Sequence, residues 1–240
     1  MAGYEEQVKY ELQFWEMDLM KKPSLLGKLA TKVQTKINSY IPKKVHHAIT
    51  VTIKQMVKVV LFGSQHTTSA LPEANISFLY RESLVKSKID SYSKTGAAEG
   101  GITGAGGFLM SMADFPLLIA IKMKLLFEIA ALYGFDVKDY KERLYILHIF
   151  QLAFSSKEGS QKVFKQMQNW DQKLIVLPES VDNFDWQTFQ QEYRDYIDLA
   201  KMAQLLPVVG AAVGAVANYQ LIKKLGTTAM MAYRMRVTRI

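Results

Sequence analysis

The sequence predicts an all-α protein, a multi-helix bundle with two Gly/Ala-rich helices at its centre. Two observations carry this. Apolar residues recur every three or four positions through most of the chain, and the lone β-like stretch, Ile175 to Leu177, is closed at once by Pro178. Glycine and alanine concentrate in two segments, about 96–134 and 207–226, where helices could approach closely.

The elements follow in order. Val8, Leu12, Trp15 and Leu19 give a first helix over about 4–21, ended by Pro23 and Ser24. Leu25, Leu29, Val33 and Ile37 stripe a second, to Tyr40, with Lys28, Lys32 and Lys36 along its adjacent face. Pro42 opens a third, in which Val45, Ile49, Ile53, Met56, Val57 and Val60 face one way while Lys44, Lys54 and Lys58 turn toward the other. A fourth is expected over about 73–94, before the glycine run. Asp114 then reads as the N-cap of a nearly all-apolar helix from Phe115 to Tyr133, with Pro116 in its first turn. Gly134 fits the position just past that helix, and Asp136 fits the N-cap of the next, which carries Leu144, Leu147 and Leu152. Residues 155–183 read as helix plus loop, and 185–205 as an acidic, aromatic helix. A small-residue segment and a basic C-terminal helix come last.

With 240 residues and 49% hydrophobic content, the chain can bury a sizeable core, and we read 1–240 as one helical domain. The absence of cysteine excludes disulfides, thiolate metal sites and a cysteine nucleophile. The opening residues lack the apolar h-region of a secretory signal, and no run of about 20 apolar residues occurs, so an ordinary spanning helix is not expected.

The net charge of +8 is unevenly spread. Residues 19–72 carry nine lysines and no Asp or Glu, and residues 199–240 carry six basic residues and no acid. An acidic middle separates them. Lys28, Lys32, Lys36, Lys43, Lys44, Lys54 and Lys58 therefore lack the usual acidic partners one helical turn away. Amphipathic basic helices over about 25–63 can lie on an anionic membrane, with lysine stems along the apolar face and ammonium groups at the headgroups. Nucleic acid could use the same charge, but no recognisable helix-turn-helix, RNA-binding or zinc-finger pattern is present.

The glycines at positions 96, 100 and 104, and those at 210 and 214, are spaced by four, with Gly107 close behind the first set. On a helix this spacing makes a side-chain-free groove, a glycine zipper that serves tight packing within the protein or insertion into lipid. Fifteen residues from Ala203 to Ala217 span roughly 22 Å as helix, short of a hydrocarbon core of about 30 Å. The glycine run lacks the strand and the Gly-Lys-Ser/Thr ending of a phosphate-binding loop. Glu99 and Asp114 are the candidate polar pair beside it, as a cation site or a base, against the plainer reading of Asp114 as a cap. The four histidines, at 46, 47, 66 and 148, read as surface or cap residues, and no metal-ligand or acyl-transfer motif accompanies them. No metal or cofactor is expected.

The Tyr4-Glu5-Glu6 opening, the Lys-rich run from Leu25 to Pro42, the segment Glu99-Gly-Gly-Ile-Thr-Gly-Ala-Gly-Gly, Asp114 and Ala131-Leu-Tyr-Gly134 together resemble the EcsC family. The resemblance spans nearly the whole chain. It implies a bacterial protein encoded beside an ABC transporter, with transporter subunits as partners and with no active site to carry over. The expectation is thus a non-catalytic, membrane-surface-associated protein at the cytoplasmic face of the cell membrane. An enzyme using Asp114 and Glu99 and a soluble scaffold are the alternatives.

Overall fold

A computed structural model describes residues 2–21, 51–52, 55–60, 76–105, 107–177, 183 and 211–238; the side chains of 2, 102–105, 107–115 and 211–214 lie outside that description. The helices are α1 (Ala2–Met20), α2 (Phe78–Ala105), α3 (Gly107–Leu132), α4 (Tyr140–Phe154), α5 (Lys157–Met167), α6 (Trp170–Lys173) and α7 (Ala211–Val237). Residues 51–52 and 55–60 are also helical. Among the described residues there is no strand, and the fold is the expected all-α bundle.

α2 and α7 pack antiparallel along their length. Glu82 meets Arg234, Ile89 lies against Gly226, and Gly96 lies against Ile222, so each step up one helix is a step down the other. Bare glycine at two of these three levels allows the axes to come close. A Cβ on Gly226 would sit 2.6 Å from Ile89 Cγ1, and one on Gly96 would run into Ile222 Cδ1. α3 folds back on α2, with Tyr92 donating to Glu128 at 2.6 Å and Arg81 to the Tyr133 carbonyl at 3.0 Å. Its end meets the end of α7, where the Tyr133 and Tyr233 rings stack at 5.4 Å.

α4 is the innermost helix, since every residue from Glu142 to Phe154 is buried. A helix apolar on most sides belongs inside a bundle. α3, whose apolar sequence reads as central in a bundle or in contact with lipid, keeps an exposed flank at Leu117, Ala120 and Lys124. α1 closes the bundle with the predicted stripe, as Val8 and Leu12 are buried and Trp15 packs edge-on against Phe164 at 5.7 Å.

Several boundaries differ from the expectation. α2 does not stop before the glycines but continues through Gly96, Gly100, Gly101 and Gly104. Glycine costs about 1 kcal/mol per helix-interior site relative to alanine, and the close seat against α7 offsets that cost at Gly96. α3 begins at Gly107, so Asp114 is inside the helix rather than at its N-cap, and Pro116 is interior. Proline there forfeits one intrahelical donor. The N-cap of α4 is Asp139, whose carboxylate accepts from the Lys141 N–H at 2.9 Å; Asp136 instead accepts from Lys138 N–H within the preceding turn. Gly134 is the terminator expected: its φ is +91°, Gly134 N–H donates to the Ala131 carbonyl, and Phe135 N–H reaches back to Ala130. Residues 175 and 176 are in an exposed turn, not a strand.

Candidate functional site

Three polar constructions stand out in this frame. The first holds the end of α7. Arg234 is fully buried and forms two parallel 2.6 Å bonds to Glu82, from Nε and Nη2, while Nη1 reaches Glu11 at 2.6 Å. The planar fork suits a bidentate carboxylate. Tyr4 and Tyr133 also donate to Glu82. Burial pushes the Glu82 carboxyl up, but the bonds from Arg234, Tyr4 and Tyr133 outweigh it and hold it below the ordinary range. Two residues on, Arg236 donates to Glu142 and Asp171, each at 2.6 Å, and Tyr233 donates to the other Glu142 oxygen. The Arg236 guanidinium lies 3.9 Å from the Phe135 ring centroid and 4.6 Å from that of Tyr145. Here desolvation wins, raising Glu142 despite Arg236. Every group in both clusters has a partner, so this construction locks α1, α2, α4 and α6 to α7.

The second is a buried cation. Lys122 is wholly inside, and among the described residues its ammonium reaches only the Leu118 carbonyl, at 3.4 Å. No carboxylate pairs with it among the described residues, and burial pushes its pKa down to about 7. Asn218 on α7 is likewise buried, and neither of its side-chain polar atoms has a hydrogen-bond partner among the described residues.

The third is a cavity of about 540 Å³ on the exposed flank of α3. One wall is Thr52, Gln55, Met56, Val59 and Val60 and the other is α3 from Pro116 to Phe127, with Val137, Lys138 and Arg143 closing one end. Its lining contains no carboxylate among the described residues. Val59 is 65% exposed and Leu117 50% exposed at its lip.

Of the lysines singled out in sequence, Lys58 is described: it projects from the 55–60 turns, with Met56, Val57 and Val60 buried on the other side as expected. Lys28, Lys32, Lys36, Lys43, Lys44 and Lys54 lie outside the described residues, as do Gly210, the acidic helix expected over 185–205 and three of the histidines. Gly96 and Gly100 are buried on α2, Gly104 lies near its end, Gly107 begins α3, and Gly214 is within α7. Glu99 is half-buried on α2, and the backbone of Asp114 is on α3 with its side chain outside the description. His148 corrects the surface reading. It is buried beside Trp170, 5.3 Å between rings, with Nδ1 2.8 Å from the Leu144 carbonyl, and desolvation drops its pKa to about 4. Sequence reasoning missed Arg234 and Glu82 and gave Lys122 no role of its own; its place among the apolar residues of 115–133, which otherwise hold only Lys124 and Glu128 as charges, was the available signal for the last.

The described residues therefore define an all-α bundle clamped by buried arginine–carboxylate pairs, in which no helix is long and apolar enough to cross a membrane. The chain belongs to the EcsC protein family, whose model matches residues 6–237. It is 46% identical to Protein EcsC of Bacillus subtilis (strain 168), covering 93% of this chain and 92% of that one. A second relative from the same organism, YdbA, is 26% identical over 96% of this chain and 91% of its own length. No solved structure matches.

Proposed function

We propose that this protein is a non-catalytic helical adaptor that rests on the anionic cytoplasmic face of the cell membrane and assists or regulates an ABC transporter. The observation that carries the membrane half is the juxtaposition on one flank of exposed Val59 and Leu117 with the exposed lysines Lys58, Lys124 and Lys138. None of these three ammonium groups forms an ion pair among the described residues. Each lysine near an anionic surface contributes about 1 kcal/mol, and apolar side chains at the lip add contact with the acyl boundary. The acid-free stretch over 19–72 carries eight further lysines in its sequence. The transporter half rests on the family resemblance.

Fractionation of cells tests it. The protein is expected with the membranes at low salt and in the supernatant after a high-salt or carbonate wash, because surface charge is screened within about 8 Å at physiological ionic strength and less at high salt. Recovery in the soluble fraction at low salt, or release by detergent alone, contradicts the reading.

A further inference from the structure

The cavity on the α3 flank has a polarity that runs along its length. From Pro116 through Met123 its α3 wall is apolar, and the facing wall contributes Met56 and Val59 with the uncharged polar Thr52 and Gln55. Cations gather at the other end, where Lys124, Lys138 and Arg143 stand near Phe127 and Val137. The direction of the facing segment agrees, because the Arg143 guanidinium reaches the Val60 carbonyl at this same end. The wall from Pro116 to Phe127 is about 17 Å long as helix.

The neighbouring acids take hydrogen bonds or salt bridges from other groups while also acting at longer range on this end, Glu128 with Lys124 and Asp136 and Asp139 with Arg143. Glu128 is met by Lys88 at 2.9 Å and by the Tyr92 hydroxyl at 2.6 Å. Asp136 and Asp139 accept from the backbone N–H groups of Lys138 and Lys141. Among the described residues Lys138 forms no ion pair and Lys124 makes no salt bridge, although its charge helps hold down the Glu128 carboxyl one turn on. A slot that is apolar at one end and cationic at the other complements a molecule with an acyl tail and an anionic head. Its volume of about 540 Å³ lies within the roughly 300–1,000 Å³ typical of small-molecule sites.

We propose that this cavity binds one single-chain anionic lipid, the acyl chain lying along α3 toward Pro116 and the head group held by Lys124 and Lys138 in front of Arg143. The proposal deepens the membrane-surface reading and rests on it for the source of the lipid. It makes the protein a receptor for an individual lipid molecule as well as a ligand of the bilayer surface.

Palmitoyl lysophosphatidate, kept below its micelle concentration and without vesicles, is the probe. Native mass spectrometry of the full chain should show one lipid per protein. Titration should show binding about tenfold weaker for the zwitterionic lysophosphatidylcholine of the same chain. Ala120→Trp fills the slot from α3 and should abolish uptake. Leu117→Asp, at a half-exposed position that the fold tolerates, puts a carboxylate at the lip and should weaken it. Both variants should keep wild-type helicity. Loss of monomeric uptake in Ala120→Trp with vesicle attachment retained supports the cavity as a site separate from the surface, whereas Leu117→Asp, on the membrane-facing lip, is expected to weaken both. Uptake with no vesicle attachment in wild type leaves the cavity standing and removes the surface reading. No uptake by wild type overturns the proposal, as does uptake that neither variant changes.

Discussion

Arg234 and Glu82 face each other between opposite ends of the antiparallel α7 and α2, both side chains at 0% exposure and joined by two 2.6 Å bonds. The pair draws in Glu11 from α1 and Tyr133 from the end of α3. Four separated parts of the chain are thereby brought to one guanidinium–carboxylate contact.

Removing one partner strands the other in the core. Arg234→Met is expected to cost about 3–5 kcal/mol, because Glu82 is left buried without its cation. In a chain of this size that lowers Tm by roughly 10 °C or more. Thermal unfolding followed by circular dichroism measures it, and the double variant Arg234→Met with Glu82→Leu should recover part of the loss. A single variant with wild-type Tm would show that the contact does not hold the bundle.

The same cluster sets the acid limit. Hydrogen bonds from Arg234 lower the Glu11 carboxyl, and Glu82 is net lowered against its burial. A lowered carboxyl contributes stability that is present above its unfolded pKa, near 4.5, and lost as pH falls through the folded one. Glu142, raised by burial, has the opposite sign: its contribution is present below the unfolded pKa and lost as pH rises through the folded one. Urea midpoints from neutral pH downward should therefore fall, less steeply in Glu11→Gln and no less steeply in Glu142→Gln. The reverse order of slopes would contradict the assignment.

Lys122 is a cation buried without compensation. Its pKa of about 7 against an ordinary 10.5 means that the unfolded chain binds the extra proton between those values, so stability rises with pH across that window. Lys173 is also lowered by desolvation, but it is exposed and contributes less. Lys122→Met should stabilise the fold at neutral pH by on the order of a few kcal/mol and flatten the rise. Unfolding midpoints at pH 7 and pH 9 check both. A destabilised variant would mean that the ammonium has a partner that the described residues do not supply.

The two glycine contacts differ in what they meet. At Gly96 a methyl group would strike the flexible tip of Ile222, and at Gly226 it would meet both branches of Ile89, 2.6 Å from Cγ1 and 3.0 Å from Cγ2. Gly96→Ala should be close to neutral, since about 1 kcal/mol of helix propensity offsets a small shift. Gly226→Ala should cost about 1–3 kcal/mol through overpacking. Equal Tm changes in the two variants would contradict this difference.

The helical class and the α1 stripe were legible because a 3.6-residue period shows in composition alone, and Gly134 was legible because its left-handed φ needs glycine. Helix starts were not. Asp114 and Asp136 have the chemistry of caps, but the glycine-bearing stretch propagated as helix past the first, and the turn before Tyr140 used the second. Arg234 and Glu82 stand 152 positions apart in the chain, and no local pattern announces a partner so distant. Gly226 lies outside the four-residue glycine spacing and is recognised only by the helix against it. The cavity was invisible because Met56 reads as an ordinary core position and no local pattern marks Val59 or Leu117 until α3 leaves a flank uncovered.

Flotation of the purified chain with vesicles tests the account most directly. Binding to vesicles rich in phosphatidylglycerol, absence from phosphatidylcholine vesicles, and release of the bound protein at 1 M salt, where the screening length is about 3 Å, are the results expected. Equal recovery on both kinds of vesicle, or attachment indifferent to salt, would contradict attachment through the unpaired lysines.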